Sequence, residues 1–159
     1  MEKLPDLLAH LTLHSILHST PQSASYPSLR AQYIQDAPYT PLLITRPKDA
    51  AQVSCIITYC VGNGIEFSVR SGGHDLYGRC FVDSAVGVDL RDLDFVTAEG
   101  NGTVGAKQGA CARIGGGILT GTLARKLATV GMVAASGSMA GVGYVGWASH
   151  GGEFCWFSF

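Results

Sequence analysis

The sequence has 159 residues and a formal net charge of −1, with 11 Lys and Arg against 12 Asp and Glu. With 47% hydrophobic and only 14% charged residues it can bury a true core, which excludes a solvating, disordered tail. It carries no basic excess to release counterions from a phosphate backbone, so nucleic acid is excluded as a partner. Residues 1–35 read as a helical lead-in interrupted by Pro21 and Pro27. Asp6, His10, His14 and His18 break up its apolar run, so it does not read as a secretory signal. The three histidines, four residues apart, fall near one helical face. Since no Cys or acid completes a ligand set, they read as the polar side of an amphipathic helix, not a metal site.

Residues 38–47 form a short apolar run fenced by prolines, the pattern of a buried strand. Asp49 can cap a helix whose apolar positions Val53, Ile56, Ile57, Cys60 and Val61 follow the 3.6-residue period, and Gly62-Asn63-Gly64 closes it. Ile65–Val69 alternates as a strand, and Val86–Leu90 as another. The order strand, helix, strand, glycine loop, strand is α/β, with parallel pairing expected across the helix. A second unit follows Gly102: Thr103–Ala106 as a strand and Ile114–Ala128 as a helix weakened at its start by Gly115-Gly116-Gly117. The cysteines at 55, 60, 80, 111 and 155 are odd in number and lack the spacing of a zinc knuckle or redox dithiol. They read as free, mostly buried apolar side chains, and a Cys55–Cys60 bridge is disfavoured if one helix carries both.

The chemistry concentrates in Arg70-Ser71-Gly72-Gly73-His74-Asp75, directly after a strand. A glycine pair there lets the backbone turn tightly and aim successive N–H groups at an anion. On spacing alone the pair is equally a plain turn, and His74 an ordinary loop residue. Gly141-Val142-Gly143-Tyr144-Val145-Gly146 matches a G-x-G-x-x-G dinucleotide fingerprint, but the helix, strand and distant acid it requires do not fit before the last residue. Leu127–Ser149 has no charge and is long enough to span a bilayer. Five glycines and a single leucine make it too weakly hydrophobic, so buried loop and strand are expected instead of a membrane span.

Taken in order, these segments resemble a known family. The strand ending Ile44-Thr45-Arg46-Pro47, the Arg70–His74 loop, Val88-Asp89-Leu90-Arg91-Asp92-Leu93, Gly105–Gly109 and the Gly137–Gly152 glycine run are similar to FAD-linked oxidases. These are the oxidases related to p-cresol methylhydroxylase and berberine bridge enzyme; Gly143–Ala148 is closest in flavour to the fungal secondary-metabolism branch. The resemblance implies a p-cresol-methylhydroxylase-type FAD-binding domain of two small α/β subdomains. Residues 1–37 would be the lead-in, 38–152 an incomplete FAD-binding domain, and 153–159 an aberrant tail where the family sequence would continue. It implies that the loop of Ser71, Gly72, Gly73, His74 and Asp75 wraps the FAD pyrophosphate with backbone amides, that Arg70 also binds the cofactor, and that His74 bonds covalently to the 8α carbon of the flavin. It further implies contacts from Gly137, Ser138, Met139, Gly141, Val142, Gly143 and Gly146. Where some members carry a second flavin link through a Gly-x-Cys cysteine, this chain has Gly137-Ser138-Met139, and a thioether cannot form that bond. The implied reaction is hydride transfer from a small-molecule substrate to the flavin, with O2 as final acceptor. The alternative is a truncated flavin-binding remnant without turnover.

Overall fold

The computed structural model describes residues 3–35, 38–99 and 111–152. The expected strand at Thr103–Ala106, the Gly105–Gly109 segment and the tail 153–159 lie outside them. Helix α1 (Leu4–Leu13) opens the chain, followed by strand β1 (Leu17–Ser19), the short helix α2 (Tyr26–Arg30) and strand β2 (Leu43–Arg46). Helix α3 (Ala50–Gly62) leads to β3 (Phe67–Arg70), then β4 (Val86–Asp89) and a 3-10 turn at Leu90–Asp92.

The sheet order is β1-β2-β4-β3, with β4 parallel to both β2 and β3 and β1 antiparallel on the outside. The parallel α/β unit expected from the sequence is therefore present. One correction falls in the lead-in: residues 17–19 are a strand, not helix. Ser15 at φ 54 turns the chain out of α1, and the backbone of residues 17–19 then pairs with β2, gaining a ladder that one more helical turn would not.

Side-chain alternation divides the sheet into two packed faces. Leu43, Val86 and Val88 meet Leu7 and Leu11 of α1 and Ile56 and Cys60 of α3 in the larger core. Ile44 on the opposite side meets Tyr26 and Phe81. Helix α3 begins where Asp49 accepts a hydrogen bond from Gln52 N at 2.8 Å, a cap that contributes about 1 kcal/mol. Cys55 and Cys60 both lie on it and are free.

Strands β5 (Val96–Glu99) and β6 (Cys111–Ile114) pair antiparallel, and helix α4 (Thr120–Ala128) covers them through Leu123 and Leu127, with Ile118 just before it in the same cluster. The helix expected from residue 114 thus begins six residues later. Residues 111–114 are strand, and Gly115 and Gly117 lie too close to the preceding turn for side chains. A Cβ at Gly117 would sit 2.7 Å from Arg91 Cα, and one at Gly115 would sit 3.0 Å from Asp94 N. Beyond the last two residues of α4, the uncharged stretch 127–149 is loop followed by helix α5 (Tyr144–Ser149); it holds no strand and, against the expectation of burial, is mostly exposed. No helix among the described residues is long and apolar enough to cross a membrane.

Candidate functional site

The loop Ser71–Asp75 leaves the C-terminal end of β3, where open parallel sheets place their ligands. It runs against the start of α5. A Cβ on Gly72 would lie 2.9 Å from Gly143 Cα, so only two glycines let these backbones meet. Ser71 Oγ donates to Gly116 O at 2.7 Å, tying the loop to the second unit as well. Gly73 has φ +76, the left-handed turn that the glycine pair in the sequence foretold. A cavity of about 460 Å3 opens between the two segments. Ser71, Gly72, Gly73, His74 and Asp75 line it from one side, and Val142, Gly143 and Gly146 from the other.

Arg70 lies behind this wall, 4% exposed, with its guanidinium 5.5 Å from the Phe81 ring centre and Nη1 donating to Leu29 O at 2.6 Å. Burial, and then the charge of Arg91, pull its pKa down, while Asp89 opposes them. Its Nε is buried without a hydrogen-bond partner, beside the α carbon of Gly73. A fixed positive charge therefore backs a loop whose amides are free to turn toward an anion.

His74 stacks on Tyr33 with ring centres 4.4 Å apart and planes at 20°. Tyr33 N also donates to Gly73 O at 3.0 Å, so the lead-in braces the loop at two points. Gly141 adjoins the Nε2 edge of the imidazole: a Cβ there would be 3.1 Å from His74 Nε2. Asp75 accepts from Arg79 N at 2.6 Å and from Arg79 Nε and Nη2 at 3.1 Å. The Arg79 side chain holds the Asp75 carboxyl below the usual aspartate range.

Gly137, Ser138 and Met139 do not line the cavity; Gly137 packs beside the Trp147 indole, and Met139 is half exposed. Trp147, Val69, Arg79, Cys80 and His150 do line it, although the sequence pattern did not select them. Trp147 could have been found as the residue one helical turn beyond Gly143. Tyr33 gave no signal, because it reaches the loop from a segment with no glycine or charge motif.

A backbone cradle at the end of a parallel strand, backed by a buried arginine and facing a glycine-rich second unit, defines a protein that binds a phosphate-bearing cofactor. Residues 41–154 match the family model described as FAD binding domain, and the chain belongs to that family. It is 38% identical over 112 residues to (R)-6-hydroxynicotine oxidase of Paenarthrobacter nicotinovorans, covering 70% of this chain and 23% of that protein. It is also 38% identical over 94 residues to the FAD-linked oxidoreductase aurO of Gibberella zeae, covering 59% of this chain and 18% of that one. Among solved structures, a chitooligosaccharide oxidase superposes with a TM-score of 0.80 at 28% identity, over 92% of this chain and 30% of the other. The chain thus spans less than a quarter of the length of these two sequence relatives. The fold is the FAD-binding α/β domain of FAD-linked oxidases, as the resemblance implied, and FAD is the cofactor. The residues present fit that group: Ser71–Asp75 and the facing Val142, Gly143 and Gly146 leave an open cavity at the end of β3, with the buried Arg70 charge behind its wall.

Proposed function

We propose that this chain supplies the flavin-holding part, residues 38–152, of an oxidase acting on a small molecule of secondary metabolism, with His74 as the covalent anchor. The observation that carries the reading is the meeting of Gly72 with Gly143 around the cavity that His74 lines. Bound FAD would supply a two-electron acceptor for hydride from a substrate C–H bond, with O2 as the final acceptor and hydrogen peroxide as its product.

The chain's own residues bind and orient. Backbone amides of Ser71–Asp75 hold the pyrophosphate, and the buried Arg70 charge offsets the negative charge of the phosphates. Tyr33 and Gly141 confine the imidazole of His74 from two sides, which fixes the direction in which its ring nitrogen points. A neutral imidazole nitrogen is a competent nucleophile for the attachment. Val142, Gly143 and Gly146 wall the opposite side, and Asp75 holds the end of the loop through Arg79. Gly137, beside Trp147, and Ser138 and Met139 lie outside the cavity lining, and attachment runs through His74 alone because Met139 offers no thiol.

The small-molecule reading draws support from the names of the two relatives, one an oxidase of hydroxynicotine and the other an FAD-linked oxidoreductase of a fungus. The test is the intact mass and flavin fluorescence of the denatured chain. A mass gain of one FAD that disappears in His74→Ala supports the anchor; flavin still attached in that variant refutes it. Peroxide release with candidate alcohols and amines then tests turnover.

A further inference from the structure

Far from the flavin cavity, His10 and His14 of the first helix meet Cys55 of α3. His10 lies within α1 and His14 is its C-terminal cap, so the four-residue spacing stacks the two imidazoles on one side of the helix. Their ring centres are 4.5 Å apart. Cys55 Sγ lies 3.2 Å from His10 Nε2, and one ligand atom from each of the three residues falls within 4.8 Å of the others. Among the described residues this is the one group of three such side chains. The sequence alone left the histidines without a third ligand, because the thiol that joins them is 41 residues beyond His14 and on a different helix.

We propose that His10, His14 and Cys55 form a binding site for a zinc-class divalent cation that clamps α1 to α3, with a fourth position open to solvent. Two imidazole nitrogens and one thiolate suit Zn2+, whose bonds of about 2.0–2.3 Å set tetrahedral ligand atoms roughly 3.3–3.8 Å apart. The observed spacings lie within side-chain adjustment of that geometry, and His14, the most exposed of the three, is free to make the adjustment. The scaffold beneath is fixed: Leu7 and Leu11 of α1 and Ile56 and Cys60 of α3 share one buried cluster. Tyr59 stacks on the His10 ring at 4.1 Å and holds its orientation, as outer partners do in metal sites. On binding, Cys55 releases its thiol proton to solvent and ligates as thiolate. The proposal stands apart from the flavin reading, since none of the three residues lines that cavity.

The test uses the full chain, without a histidine tag, stripped by chelator and titrated with Co2+. One Co2+ per chain is expected, with a sulfur-to-cobalt charge-transfer band and the visible bands of a tetrahedral site, all displaced by one equivalent of Zn2+. Cys55→Ser should erase the charge-transfer band. His14→Ala, at an exposed position, should keep the circular dichroism spectrum and weaken Zn2+ binding about tenfold or more, the smallest loss typical even of outer-partner changes. His18→Ala should leave binding unchanged, because His18 Nδ1 instead engages Ile16 O from β1. Absence of the band in the folded chain, its survival in Cys55→Ser, or equal loss in His18→Ala would each overturn the proposal.

Discussion

Tyr33 and His74 lie face to face with ring centres 4.4 Å apart, although 41 residues separate them. The contact couples the N-terminal segment to the loop proposed to hold the cofactor. Tyr33 is half exposed, so the stack adds little to folding, roughly 0.5–1.5 kcal/mol for such ring pairs. Its larger effect is on the freedom of the imidazole. Tyr33→Ala is expected to leave the urea midpoint nearly unchanged while lowering the fraction of chain that retains flavin after denaturation. His74→Ala is expected to lower that fraction to zero. Equal flavin retention in Tyr33→Ala and the parent chain would remove the bracing role.

Met139 provides the converse test. It is half exposed and stands outside the cavity wall. Met139→Ala is therefore expected to leave the flavin linkage intact, as judged by the same denatured-mass measurement, and to cost well under 1 kcal/mol.

The close approach of Gly72 to Gly143 makes a sharper claim. An added methyl at Gly72 meets backbone on the facing segment, which cannot rotate away as a side chain would. Gly72→Ala should destabilise the chain by about 1–3 kcal/mol, as overpacking does, and empty the site of flavin. Gly62, the last residue of α3, has nothing within 4 Å of its would-be Cβ. Gly62→Ala should therefore be neutral or stabilising by up to about 1 kcal/mol. Urea denaturation of the pair separates the two effects, and a similar loss in both would contradict the packing argument.

Much of this was legible from the residues. The capped helix at Asp49, the parallel strands on either side of it and the glycine turn before His74 are all local, since each is set by spacing and by what glycine alone permits. The parts that were missed depend on distant pairing. Residues 17–19 are a strand only because β2 offers an edge. Gly115 and Gly117 read as a weak helix start until the turn at Leu90–Leu93 is seen pressed against them. Tyr33 and Cys55 acquire their partners from segments 41 and 45 residues away, and no periodicity in the sequence marks either.

Asp89 is fully buried at the end of β4 and accepts three hydrogen bonds from Arg91 side-chain nitrogens, Nε to both carboxylate oxygens at 3.0 Å and Nη2 at 2.6 Å. It also accepts from Arg91 N at 3.1 Å, which fixes the turn that Gly115 and Gly117 pack against. Removing the carboxylate leaves Arg91 and the buried Arg70 close together, with only Asp92 remaining near Arg91 as a countercharge. Asp89→Ala should cost about 3–5 kcal/mol, the range for breaking a buried pair from one side. Arg91→Ala together with Asp89→Ala should cost less than the sum of the single changes, which a double-mutant cycle in urea would read directly.

The Asp75–Arg79 pair gives a pH prediction of definite sign. Hydrogen bonds from the Arg79 side chain hold the folded-state pKa of Asp75 below its unfolded value of about 3.9. A depressed carboxylate stabilises the fold fully above the unfolded pKa and loses that contribution as pH falls through the folded one. Both side chains are partly exposed, 27% for Asp75 and 64% for Arg79, so solvent screens the pair and its contribution is small. The stability gap between the parent chain and Asp75→Asn should be constant from pH 7 to about pH 5 and should close as pH drops below about 4. Added salt should narrow it at every pH above that window, because the pair is solvent-facing. A gap that widened toward acid would mean that Asp75 is protonated more readily in the folded chain than in the unfolded one, and the loop would then be held by something other than this ion pair.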